Sequence, residues 1–70
     1  MEVNIEALEV LLREQFGSNQ SEMARALNVR REHLYRVLND GVGAGAKFCG
    51  AIINYCNQHD LNYKDYIILT

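Results

Sequence analysis

Apolar residues recur along this chain at intervals of three and four. Ile5, Leu8, Leu12 and Gln15 mark one such stripe with Leu11 beside it, which predicts a helix over Asn4–Gln15. Glu2, Glu6, Glu9 and Arg13 fall on a different face. Asn4 is suited to cap the helix, Glu6 lies in the first turn where the helix dipole favours an acid, and Gly17 after Phe16 supplies a left-handed stop. Asn19–Leu27 predicts a second, shorter helix. Asn19 and Glu22 are spaced as a capping box, and Met23, Ala24 and Leu27 point inward. Asn28 then follows as a turn residue that tolerates positive φ.

A third helix is predicted over Arg31–Asn39. On its wheel Leu34, Val37 and Leu38 group together, while Arg31, Glu32, Tyr35, Arg36 and Asn39 group on the opposite side. The Gly-rich stretch Asp40–Gly45 separates it from the longest helix, Ala46 to about His59, with Phe48, Ala51, Ile52, Tyr55 and Cys56 inward. Asp60-Leu61 leads to a last short helix, capped by Asn62 and Asp65, whose apolar surface is Tyr63, Tyr66, Ile67 and Leu69. The ending YIILT is β-branched and aromatic and also suits a strand; helix is the reading adopted.

Composition sharpens this picture. Seventy residues suit one domain, and a chain of this size buries only roughly 60% of its unfolded surface. A hydrophobic content of 49% excludes a disordered chain, and zero Pro with five Gly favours helices over a turn-rich β-sandwich. No apolar run approaches the ~20 residues of a membrane span. The opening MEVNIEALEV has no basic n-region, so a cytoplasmic chain is expected. Cys49 and Cys56 would lie about 10 Å apart along one helix, too far for a disulfide. Cys56 and His59 are too few for a zinc site, so buried thiols and no metal or cofactor are expected. Gly41–Ala46 spells G-x-G-x-x-A but lacks the preceding strand of a dinucleotide site, and Lys47 is not followed by Ser or Thr as a P-loop requires. No nucleophile–base pair stands out, and no enzyme is expected.

Residues 20–39 read QSEMARALNVRREHLYRVLN. Ala24 is small enough for two helices to cross closely, Asn28 suits a left-handed turn, Val29 is an apolar plug, and Leu34 and Val37 dock the following helix. With Gln20 opening the first helix, this string resembles the helix-turn-helix of the lambda-repressor-like (Cro and XRE-type) regulators. Asn28 stands where that family commonly has Gly, and Arg30 where a Ser cap is frequent. The resemblance spans nearly the whole chain and implies an all-α, compact five-helix fold, with one helix before the motif and two after it.

It further implies a DNA-binding transcriptional regulator of bacterial or phage type, whose Arg31 helix enters the major groove. Arg31, Glu32, Tyr35 and Arg36 are then the base-contacting set, since Arg offers a fork to guanine and Glu accepts from cytosine. Gln20, Arg30, Asn39 and Lys47 are the phosphate-contacting candidates. A homodimer on a near-palindromic operator is implied, with Tyr66, Ile67, Ile68 and Leu69 as the dimer contact. His33 reads as a bystander. Glu32 and Arg36 also suit a plain i, i+4 surface pair.

The formal net charge of −2 runs against a nucleic-acid partner until it is divided. Residues 1–19 carry four Glu and one Arg (−3), residues 20–39 four Arg and two Glu (+2), and residues 40–70 two Lys and three Asp (−1). The motif is basic beside an acidic first helix. That acidic helix, with the apolar strip Val3, Ala7 and Val10, supports an alternative: a protein-binding regulator on the same fold, such as an antirepressor.

Overall fold

The computed structural model describes residues 2–41 and 43–68. Strand β1 (Glu2–Val3) precedes helices α1 (Ile5–Phe16), α2 (Gln20–Leu27), α3 (Arg31–Asp40) and α4 (Ala46–Gln58). A single 3-10 turn (Tyr63–Asp65) and strand β2 (Ile67–Ile68) follow.

Local chemistry sets the boundaries. The Asn4 side chain accepts the Ala7 N–H (3.2 Å) at the head of α1. Gly17, at φ 56°, turns the chain out of α1, and the Ser18 N–H closes back on Leu12 O at 3.0 Å. The Gly17 N–H bonds the same Leu12 carbonyl, the six-to-one bond that satisfies a terminal acceptor. Asn19 then caps α2 by accepting the Glu22 N–H (3.1 Å). Only this half of the expected capping box forms, because the Glu22 carboxylate turns to Arg25 instead. Asn28 adopts the left-handed conformation at φ 59°, and Val29 N–H bonds Ala24 O at 2.9 Å.

The core gathers Leu8, Leu11 and Leu12 from α1, Met23, Ala24 and Leu27 from α2, and Leu34 and Val37 from α3. Phe48, Cys49, Ile52, Tyr55 and Cys56 enter from α4, and Val3 and Ile67 from the strands. Gln15 is exposed; the inward stripe of α1 ends on half-buried Phe16, packed on the core. Both cysteines are free and buried. The short α2 packs on α1, α3 and α4.

The expectation of five helices is corrected to four. After α4 the chain makes only the three-residue 3-10 turn, then pairs antiparallel with β1 in the register Glu2↔Ile68 and Val3↔Ile67. The Asn4 N–H extends this ribbon to Tyr66 O at 2.8 Å. Period-2 alternation explains the outcome: Ile67 is buried (2% exposed) while Ile68 faces out (45%). β-branched residues fit this pleat, and β1 offers the backbone partners that a further helix of so few residues could not supply for itself.

Two measurements test this packing. Leu34→Ala removes a fully buried side chain and is expected to cost about 2–5 kcal/mol in urea unfolding, whereas Tyr35→Ala, one residue on but exposed, should stay within about 0.5 kcal/mol. Burial pushes the Tyr55 and Tyr66 phenols above their ordinary 10.0 and the Cys56 thiol above 9.0, with the Asp65 carboxylate adding to the last. Acids whose folded value is raised stabilise the fold below the unfolded value and lose that contribution as pH climbs through the folded one. Thermal melts should therefore show a loss of stability setting in above about pH 9, smaller in Cys56→Ala.

Candidate functional site

Helix α3 is held from below by Leu34 and Val37, both fully buried, with half-buried Leu38 beside them. That anchorage turns Arg31, Glu32, Tyr35 and Arg36 outward together, and all four are exposed. They line one open groove of about 710 Å³, whose other wall is Ser18, Asn19, Gln20 and Ser21 at the head of α2, with Asp40 at its end. The position of that wall follows from the left-handed pair Gly17 and Ser18 (φ 56° and 65°). Two consecutive positive-φ residues reverse the chain tightly enough to bring the head of α2 beside α3.

Among the described residues the one ion pair within 4.0 Å is Glu22–Arg25, at 3.5 Å and solvent-exposed, where such pairs contribute little. Glu32 and Arg36 are therefore not paired, and among the described residues no carboxylate lies within 4.0 Å of the charged groups of Arg30, Arg31 or Lys47. The guanidinium forks of Arg31 and Arg36 remain available to an external acceptor. Formal charge in the groove is balanced, Arg31 and Arg36 against Glu32 and Asp40. Its chemistry is directional hydrogen bonding beside an exposed phenol ring rather than a strong field.

The remaining polar candidates are distributed around this groove. Gln20 lies in its wall. Arg30 and Lys47 both line a second recess of about 500 Å³ between the α2–α3 turn and α4, lined also by Asn28, Val29, His33, Phe48 and Ala51. Asn39 is turned back on its own helix, its Nδ2 donating to Tyr35 O at 2.8 Å. It lies in a smaller depression with Glu9, Arg13 and Gln20. The proposed dimer contact is divided. Ile67 is consumed by the chain's own core, which removes it as a contact residue. Tyr66 is half-buried against that core, Ile68 is exposed, and Leu69 lies outside the described residues.

Sequence reasoning passed over His33. Its Nε2–H donates to Gly43 O at 2.6 Å, and its ring lies 5.2 Å from that of buried Phe48. Gly43 has φ 89°, and a Cβ there would stand 3.1 Å from His33 Nε2, so glycine serves both the backbone angle and the close approach. Ten residues separate the partners across a loop, and neither helical nor strand periodicity links such positions. The available signal was an aromatic donor on the side of a helix that precedes a Gly-rich loop.

Among the described residues no group of three or more His, Cys, Asp or Glu could hold a metal ion, and no helix is long and apolar enough to cross a membrane. Comparison of the chain with protein-family models, curated proteins and solved structures yields no significant match.

The N-termini of α1 and α2 are capped by Asn side chains, whereas Arg30 heads α3 in an extended conformation with no side-chain cap bond. Arg30→Ser supplies the missing acceptor and is expected to raise stability by about 1 kcal/mol in urea unfolding. A lower midpoint would show that the Arg30 side chain contributes packing that outweighs the cap.

Proposed function

We propose that this chain is a sequence-specific, double-stranded-DNA-binding regulator that reads the major groove with the outer face of α3. The observation that carries the reading is the convergence of Arg31, Glu32, Tyr35 and Arg36, exposed and without ion-pair partners, beside the head of α2. The resemblance of residues 20–39 to a helix-turn-helix supports it, as does the +2 charge of that segment within an acidic chain. Arg31 and Arg36 each match guanine O6 and N7, and Glu32 accepts from cytosine N4. The face carries no Gln, and Asn39 at its far end donates its amide back to Tyr35 O, so adenine is poorly served. A half-site then contains at least one G·C pair. Gln20 and the Arg30–Lys47 recess supply phosphate contacts on either side of the base-reading residues, which fix register rather than sequence. The balanced groove keeps non-specific affinity low, so discrimination rests on geometry more than on field strength. Binding as a homodimer places two α3 helices about 34 Å apart on a near-palindromic site, with Ile68 the exposed apolar member of the suggested contact among the described residues.

A second reading draws on α1. Val10 is 39% exposed in an i, i+4 row with exposed Glu6 and Glu14, a small apolar spot framed by acids that suits a basic protein partner.

Selection of bound duplexes from a random pool, followed by a salt titration on the selected site, separates the two. DNA recognition predicts enrichment of a G·C-containing half-site repeated at one helical turn, and a log–log salt slope of about −0.9 per phosphate contact. Arg31→Ala should lose about 1–3 kcal/mol of discrimination at one base pair. Half-sites made purely of A·T, or no enrichment at low salt, would sink the DNA reading. Biological activity that survives the Arg31→Ala/Arg36→Ala double variant would favour the protein partner.

A further inference from the structure

We infer that His33 is a positioning residue, holding Arg30 and Lys47 so that both grip one DNA phosphate in the recess between the α2–α3 turn and α4. The inference rests on the DNA reading above and assigns to His33 a role which that reading lacks. Arg30 and Lys47 belong to different elements, yet they line the same recess with no carboxylate within 4.0 Å among the described residues. Two cations lining one recess give it a positive charge that suits an anion. The oxygens of a phosphate diester accept from a guanidinium and an ammonium at once through charge-assisted hydrogen bonds.

Val29 beside Arg30 and Phe48 beside Lys47 are both seated on the core, and His33 adds a direct link between their elements. Helix α4 packs on α2 and on the 3-10 turn rather than broadly along α3. The intervening loop has left-handed glycines at 41 and 43 (φ 67° and 89°). Among its described residues the loop also has a weak sulfur contact, Cys49 Sγ to Ala44 O at 3.8 Å, and Ala44 packs against the core. His33 makes two contacts across that gap. The Nε2–H holds the Gly43 carbonyl at 2.6 Å, and the ring leans on Phe48, the residue after Lys47. One imidazole on α3 therefore touches both the loop and the first turn of α4, whose Phe48 and Cys49 are seated in the core. Arg30 immediately precedes Arg31, so a phosphate held here sets how far α3 advances along the groove before its base-reading face engages.

The test is the salt dependence of binding to the selected duplex. His33→Ala is expected to make the log–log slope shallower by about 0.9, the signature of one lost phosphate contact, while the ranking of base variants stays as in the wild type. Lys47→Ala added to His33→Ala should then cost almost nothing more. His33→Gln, whose amide can still donate to Gly43 O, should recover part of the slope. A general loosening of the fold would instead lower affinity at an unchanged slope, and Lys47→Ala would add its full effect. Either result overturns the inference while the DNA reading stands. A wild-type chain without salt-dependent binding overturns both. Should His33→Ala fail to fold, Arg30→Ala and Lys47→Ala decide: losses that couple support one shared phosphate, and strictly additive losses overturn it.

Discussion

Ala24 is the smallest side chain in the buried core, and it sits on the shortest helix, the one packed against all three others. A helix of eight residues has almost no stability alone, because nucleation is unfavourable and few hydrogen bonds follow it. Its persistence depends on burying Met23 and Leu27, at about 1.5–3 kcal/mol each, among neighbours that depend on it in turn. Ala24 makes that arrangement geometrically possible. A methyl group lets helix axes approach, and the Ala24 carbonyl accepts the Val29 N–H that closes the turn into α3. The direction in which α3 presents its outer face follows from this contact, as does the shape of the groove beside it.

Stability and surface chemistry are set against each other at the helix starts. Asn4, Asn19 and Asn62 each give a side-chain oxygen to the backbone N–H groups that follow them. Helices α3 and α4 begin at Arg30 and Gly45 without such a bond. These are the two starts that flank the recess holding Arg30 and Lys47. A Ser or Asn at position 30 would satisfy the helix better, and a cation stands there instead.

The ribbon of β1 and β2 shows how a small chain closes its core. Val3 and Ile67 are paired in register and both buried, so two residues from distant parts of the sequence cover one edge of the helical core. Ile68 is exposed by the same alternation. The two apolar isoleucines next to each other thus have opposite fates, and a contact surface built from the whole segment as one apolar patch does not exist among the described residues.

Much of this was legible in the one-dimensional pattern. Spacings of three and four placed α1 to α4, and Asn4, Gly17, Asn19 and Asn28 marked their ends, because capping and left-handed turns are chemistry between residues a few positions apart. The outward grouping of Arg31, Glu32, Tyr35 and Arg36 was visible for the same reason: a helix wheel needs only local geometry. Tertiary structure alone decided the rest. It made Tyr66 to Ile68 the end of a ribbon rather than a fifth helix, since a strand's partner lies at the other end of the chain. It set Arg30 and Lys47 on the lining of one recess and left Glu32 and Arg36 without an ion pair among the described residues, because side-chain pairing on a surface depends on what packs nearby. It turned His33 from a bystander into the link between α3 and α4, through a carbonyl whose position no periodicity encodes.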